Sequence, residues 1–195
     1  VIHGLFGSHE NLNSIAQALS STYSVVALDL PGHGRSTHLP VYDLDKMSAQ
    51  IEALLSNLGI KDTAIVGHSL GGKIAMKLAL RNQLHVNKLV IADISPSKGY
   101  SRHNAVFSGL ESVDFSHTSS RTDADQQMAQ HISEPGVRQF LLRSLLKTDS
   151  GFSWKFDLQG LKRDYDHLID GIDSNSSFER DVLFVKGSNS DYITE

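Results

Sequence analysis

The stretch Asp62–Lys73, DTAIVGHSLGGK, decides how the chain is read. Its first half is short, β-branched and apolar, as a buried strand is, and a helical apolar pattern begins near Leu70. Between them lies Gly67-His68-Ser69-Leu70-Gly71, a G-x-S-x-G pattern set at a strand-to-helix turn. Glycines there permit a sharp backbone that lifts the Ser69 hydroxyl out of the sheet and leaves the Leu70 N–H able to donate to an oxyanion. A serine that only closes a turn would account for the letters but not for their place between a strand and a helix.

Outward from this turn, the same alternation repeats. Val1-Ile2, a helical pattern in Asn11–Ser20 (Leu12, Ile15, Ala16, Leu19) and the run Tyr23–Leu30, YSVVALDL, make one strand-helix-strand unit. In the next, Asp43 or Asp45 can cap a helix whose Met47, Ile51, Leu54, Leu55 and Leu58 share a face and which Gly59 stops. The third runs from Leu70 into NKLVIADIS, a buried strand ending at Asp93. Three such repeats predict an α/β fold, a mostly parallel sheet with helices on both faces. After Pro96 the pattern changes to helical patches (Val137, Phe140, Leu141 and Leu145; then Leu161 to Ile172) with no convincing strand, until Asp181–Gly187, DVLFVKG, restores a buried one. The expected division is a first part of the core over residues 1–96, a helical cap or lid insertion over 97–178, and a returning core strand over 179–195. An insertion above the carboxyl ends of the strands is placed to roof a site.

A second signal is His3-Gly4-Leu5-Phe6-Gly7, directly after an apolar strand end. Small residues let such a loop bring a backbone N–H, that of Leu5, up to a developing oxyanion, opposite the N–H of Leu70. Together VIHGLFGS, DLPGHGRS, VGHSLGGK and ADISP resemble the α/β-hydrolase superfamily, and within it the YbfF-type esterases and their mitochondrial relatives. The resemblance implies an α/β-hydrolase fold with a helical cap, and a serine hydrolase, a carboxylesterase or acyl thioesterase, working through an acyl-enzyme on Ser69. In the resembled subgroup the ADISP aspartate, Asp93, matches the catalytic acid; most of the superfamily places the acid after the strand that is DVLFVKG here. GSNSDYI puts Ser190 at that usual place and Asp191 one residue on, so Asp93 is preferred and Asp191 is the alternative.

The superfamily order is serine, acid, histidine, with the histidine after a final strand. The last histidine is His167, inside the expected insertion, so the base is expected beyond residue 195 and the 195 residues alone are expected to be inactive. Starting inside an apolar run without Met, the chain reads as incomplete at both ends. His3, His33 and His68 are expected to support loop backbones, and His9, His38, His85, His103, His117 and His131 to be solvated surface or cap residues. Arg35 and Ser36 are expected to fix the loop after the second strand, with Asp29 structural. Phe6 and Trp154, with Phe107, Phe140 and Phe152, could line an acyl pocket, although packing of the insertion accounts equally well for the aromatic residues there. Lys73, Lys98 and Arg102 could meet an anionic head group.

Composition excludes several classes. Lys plus Arg number 18 against 22 Asp plus Glu, a net charge of -4, which offers no field for nucleic acid. There is no cysteine, hence no disulfide, thiolate metal site or Cys nucleophile, and the cytoplasm is the default compartment. No apolar run is long enough to span a bilayer. No metal or cofactor is expected; the partner is a small-molecule acyl ester or thioester, and no feature sets an oligomeric state. Two rivals remain on these residues: a noncatalytic ligand-binding protein on the same fold, and a carbon-carbon bond hydrolase. A third, nucleotide binding, arises because Gly67–Lys73 also reads G-x-x-x-x-G-K, but a phosphate loop needs Ser or Thr next and Ile74 stands there.

Overall fold

The computed structural model describes residues 1–195 except 82–84, 150, 174, 176, 191, 194 and 195. The DTAIV run forms β1 (Thr63–His68), which pairs in parallel with β2 (Val86–Ala92), and β2 pairs in parallel with β5 (Asp181–Val185). Ile2 makes parallel bridges to Gly67 on one side and Leu28 on the other. The sheet order is therefore Leu28, Ile2, β1, β2, β5. Parallel neighbours need crossovers, and helices supply them. After a 3-10 turn (His9–Leu12), α1 (Asn13–Ser20) lies before the Leu28 segment, α2 (Leu44–Asn57) before β1, and α3 (Leu70–Arg81) between β1 and β2.

Local chemistry explains these helices. The Asp43 carboxylate caps α2 by accepting the Lys46 N–H at 2.6 Å, and Gly59, at φ +67°, turns the chain away beyond Leu58. Leu44, Met47 and Ile51 are buried at helical spacing and set α2 against α3, while Leu54 and Leu58 stay exposed. Between sheet and α2, α3 is buried along most of its length, from Leu70 to Ala79.

Two strand expectations change. Among the described residues YSVVALDL has one sheet neighbour, the short segment ending before Gly4; one bridge at Leu28 forms, Leu28 and Leu30 are buried, and Tyr23 stays exposed. DVLFVKG pairs as expected, but β5 is exposed at every residue, because among the described residues only β2 borders it and nothing covers its faces.

Between β2 and β5 lie α4 (Asn104–Glu111), α5 (Arg121–Met128), α6 (Pro135–Leu142), α7 (Leu158–Arg163) and α8 (Tyr165–Leu168). A β-hairpin that the helical reading passed over joins them: β3 (Leu145–Thr148) and β4 (Gly151–Trp154) pair antiparallel. Leu145 does fall on the face of Val137, Phe140 and Leu141, but the helix stops at Leu142, and Leu145 reaches the core from a strand. Polar ties hold this segment to loops of the sheet. Ser144 Oγ donates to Phe6 O at 2.8 Å, Asp157 N to Gly32 O at 2.9 Å, and Tyr42 N to the Asp164 carboxylate at 2.7 Å. One apolar cluster runs from Ile2 through Phe107 and Leu141 to Leu168. Among the described residues no helix is long and apolar enough to cross a membrane.

Backbone packs closely against backbone where α3 begins. A Cβ on Gly71 would stand 2.4 Å from His3 O and 2.5 Å from Ile2 O, both backbone atoms. Gly71→Ala should therefore lower unfolding stability by about 1–3 kcal/mol, the range for overpacking a filled site. Urea unfolding of the complete protein checks this, and an unchanged midpoint would contradict it.

Candidate active site

The turn from β1 to α3 carries Ser69 at φ +52°, a left-handed conformation that non-glycine residues rarely adopt. The site geometry over-determines it. Ser69 N donates to Ala92 O at 2.9 Å, Ser69 O accepts Gly72 N at 2.8 Å, and a Cβ on Gly67 would lie 2.5 Å from Gly71 O. Only glycine lets β1 and α3 approach so closely. Among the described residues, the only other non-glycine positions with positive φ are Phe6 (+62°) and Asp93 (+59°). All three line the same cleft, of about 520 Å³. Strain of this kind persists where the surrounding structure holds it, and it gathers at functional sites.

The HGLFG loop lies against the serine: a Cβ on Gly4 would be 3.1 Å from the Ser69 Cβ. Its N–H groups are distributed so that one is left over. Phe6 N–H donates to His33 Nε2 at 3.1 Å and Gly7 N–H to Gly4 O at 3.1 Å, while Leu5 N–H has no acceptor among the described residues. Leu70 N–H, an orphan donor at the start of α3, likewise has none there. They belong to the two residues that the sequence singles out as candidate donors, and both residues line a cleft with Ser69.

Two buried imidazoles hold the loop in this arrangement. His3 Nε2 accepts Leu30 N–H at 3.0 Å and its Nδ1 pairs with Gly4 O at 2.7 Å; His33 Nε2 accepts from Phe6 and its Nδ1 pairs with Pro31 O at 3.0 Å. Each ring accepts through Nε2 and donates through Nδ1, the pattern of a neutral imidazole. Burial keeps them so, pushing His3 down to about 4 and His33 to about 3. Asp29 is structural as expected. Its carboxylate accepts His9 N at 2.7 Å and Arg35 N at 3.0 Å, and Ser36 Oγ donates to Asp29 O at 2.7 Å. Burial would raise that carboxyl, but the His9 and Arg35 donors hold it below its ordinary value.

Asp93 follows β2, half-buried in the cleft that contains Ser69 and His68. Its N–H donates to Val185 O at 2.7 Å and its carboxylate accepts Gly187 N at 3.1 Å, so the end of β5 orients it. Burial lowers the His68 ring and the Asp93 charge partly opposes this, which marks the two as neighbours. Asp191 lies outside the described residues.

The remaining candidates separate. Phe6 is buried against Phe107 and Phe156, and its residue borders the 520 Å³ cleft, as does Phe140. Trp154 is not at the serine: its ring stacks on Phe156 at 5.5 Å and its indole N–H donates to Leu110 O, within the packing of the inserted segment. Lys73 is buried and bonded to carbonyls, Lys98 pairs with Asp170 at 3.2 Å, and Arg102 lies 5.2 Å over the Tyr192 ring. His103, expected as a solvated surface or cap residue, lies between β2 and α4 and reaches the clefts. It is half-buried, hydrogen-bonded to the Tyr165 hydroxyl, and borders both clefts that meet at Ser69. Nothing around it in the sequence signals this. None of the ten histidines, all among the described residues, hydrogen-bonds Ser69 Oγ.

The profile of the alpha/beta hydrolase fold family matches residues 1–110, and the chain belongs to that family. It is 36% identical over 200 residues to an sn-1-specific diacylglycerol lipase of Mus musculus, covering 98% of this chain and 65% of that protein. To the esterase YbfF of Escherichia coli it is 33% identical over 196 residues, covering 100% of this chain and 75% of the relative. The solved structure of a marine microorganism esterase superposes with a TM-score of 0.94 at 30% identity, covering 100% of this chain and 77% of that one. The chain thus spans just under two thirds of the length of the diacylglycerol lipase it matches.

The buried imidazoles set a pH dependence. Because the ordinary histidine value is 6.5 and His3 titrates at about 4 when folded, the unfolded chain binds more protons between those limits. Stability is therefore full above pH 6.5 and falls as pH drops through this window, by on the order of 3 kcal/mol for His3 alone. Urea unfolding of the complete protein at pH 7 and pH 5 should show the decline before most carboxylates titrate; equal midpoints would contradict it.

Proposed function

We propose that this chain carries the nucleophile, oxyanion hole and acid of a serine hydrolase that cleaves carboxylic esters, thioesters included, through an acyl-enzyme on Ser69. The observation that carries the proposal is the convergence of three strained residues, Phe6, Ser69 and Asp93, on one cleft beside two N–H donors that have no acceptor among the described residues. That the relatives named above are called esterases and a diacylglycerol lipase supports the same chemistry and favours acyl esters as the substrate class.

In this reading, Ser69 Oγ attacks the ester carbonyl carbon and gives its proton to a histidine base. The Leu5 and Leu70 N–H groups receive the oxyanion; they are fixed by the backbone and need no reorganisation as charge develops, and a single such donor contributes roughly 3 kcal/mol. The tetrahedral adduct collapses, the alcohol or thiol leaves with the proton from the base, and water repeats the sequence on the acyl-enzyme. Asp93 holds the base in the right tautomer and stabilises its protonated form. The base itself is supplied from outside the described residues. Residues 97–178 act as a cap, and the two clefts meeting at Ser69 receive the acyl chain and the leaving group. The absence of cysteine suits a reducing compartment, and the cytoplasm is the simplest.

Substitutions in the complete protein test the assignment on p-nitrophenyl esters. Ser69→Ala should lower kcat by about 10⁶ and Asp93→Asn by about 10⁴, with Asp191→Asn near wild type. Full turnover in D93N together with loss in D191N would move the acid to the other position.

A further inference from the structure

One turn beyond the nucleophile, α3 carries a buried cation that the proposed reaction does not use. Lys73 is 2% exposed. Its ammonium donates to Ser97 O at 2.7 Å and to Asp170 O at 2.7 Å. These carbonyls belong to the two roots of the inserted segment: Ser97 follows β2, where the segment leaves the sheet, and Asp170 follows α8, where it returns. The roots are also bonded to each other, Gly99 N to Ile169 O at 2.7 Å and Ile172 N to Pro96 O at 2.8 Å. Lys73 thus ties a paired base of the insertion to the helix whose first turn holds Ser69.

The same groups bound a cleft of about 160 Å³. Ser69, Leu70 and Lys73 line it from the core, and Ser97, Leu168 and Ile169 from the insertion. Its width is the separation of those two sides, and the Lys73 ammonium spans them. Burial lowers this lysine to about 8, partly offset by Asp170, so holding the charge here is unfavourable in itself. A methionine would fill much of the same space without that cost. What the ammonium adds is two short charge-assisted hydrogen bonds to two separate chain segments, which fix a distance as hydrocarbon contact does not.

Building on the serine-hydrolase reading, we infer that Lys73 is a positioning residue for specificity: it pins both roots of the cap to the nucleophile helix and so sets which acyl chains the cleft accepts. It also accounts for the Gly67–Lys73 pattern. The lysine that would reach a phosphate in a nucleotide-binding loop here reaches two backbone carbonyls.

The test is the acyl-chain profile of the complete protein, wild type and Lys73→Met, on p-nitrophenyl butyrate and decanoate, with Tm measured alongside. The expected result is a shift of about tenfold in the ratio of the two kcat/KM values toward decanoate, within the range that pocket contacts discriminate. An unchanged ratio, with only Tm lowered or both rates reduced in parallel, would overturn the inference. If K73M does not fold, hydrogen exchange on the wild type decides. The Gly99 and Ile172 amides should open with the same free energy as α3; opening well before α3 would mean that the roots are not pinned to it. Failure of the wild type to hydrolyse either ester would count against the serine-hydrolase reading, while the exchange measurement would still test the clamp.

Discussion

The contact on which the site depends is backbone against backbone. α3 starts so close to the end of β1 and to the Ile2-His3 segment that Gly67 and Gly71 have no space for a side chain. With β1 and α3 held at that distance, the residue between them must turn within one step, and Ser69 takes a left-handed conformation to do so. The turn exposes the hydroxyl, leaves the Leu70 N–H without an intrahelical partner, and seats the Gly4–Leu5 backbone beside the serine. The proposed nucleophile and the proposed oxyanion donors thus both follow from one close approach.

The second layer of the site is built from neutral histidines. A loop as short as HGLFG cannot satisfy its own amides with regular secondary structure, and buried unpaired amides are costly. His3 and His33 solve this by joining the loop after Leu28 to the loop after Ile2 through ring nitrogens. The consequence bears on the proposed chemistry as well: the Phe6 N–H is taken up by His33, while the Leu5 N–H has no acceptor among the described residues. Asp29 performs the matching task for the PGHGRS turn, accepting two backbone N–H groups and standing where Gly34 alone leaves room for it.

How much of this was legible in the sequence follows from how local each feature is. The sharp turn at Ser69 and the HGLFG loop beside it were readable because glycine spacing at a strand end is a local demand of the backbone. The proposal of Asp93 as the acid drew on resemblance, since its positive φ and its bond to Gly187 involve β5, far along the chain. The hairpin β3–β4 escaped because its strands are four residues each and Leu145 continued a helical spacing. β5 was recognised as a strand by its apolar run, but burial is a property of neighbours, and its faces have none among the described residues. The surroundings of His103 and Lys73 were out of reach for the same reason. A lone histidine and a lysine in a phosphate-like pattern find their partners in Tyr165, Ser97 and Asp170, which only the folded chain brings to them.

The central claim, that Ser69 is the nucleophile of a hydrolytic site, is tested most directly by covalent trapping. The complete protein would be treated with an organophosphonate fluoride, digested, and the modified peptide located by mass. The account predicts one equivalent of label on Ser69, and none on the protein when Ser69 is replaced by alanine. Label on another residue, or an unreactive Ser69 in a folded complete protein, would contradict it.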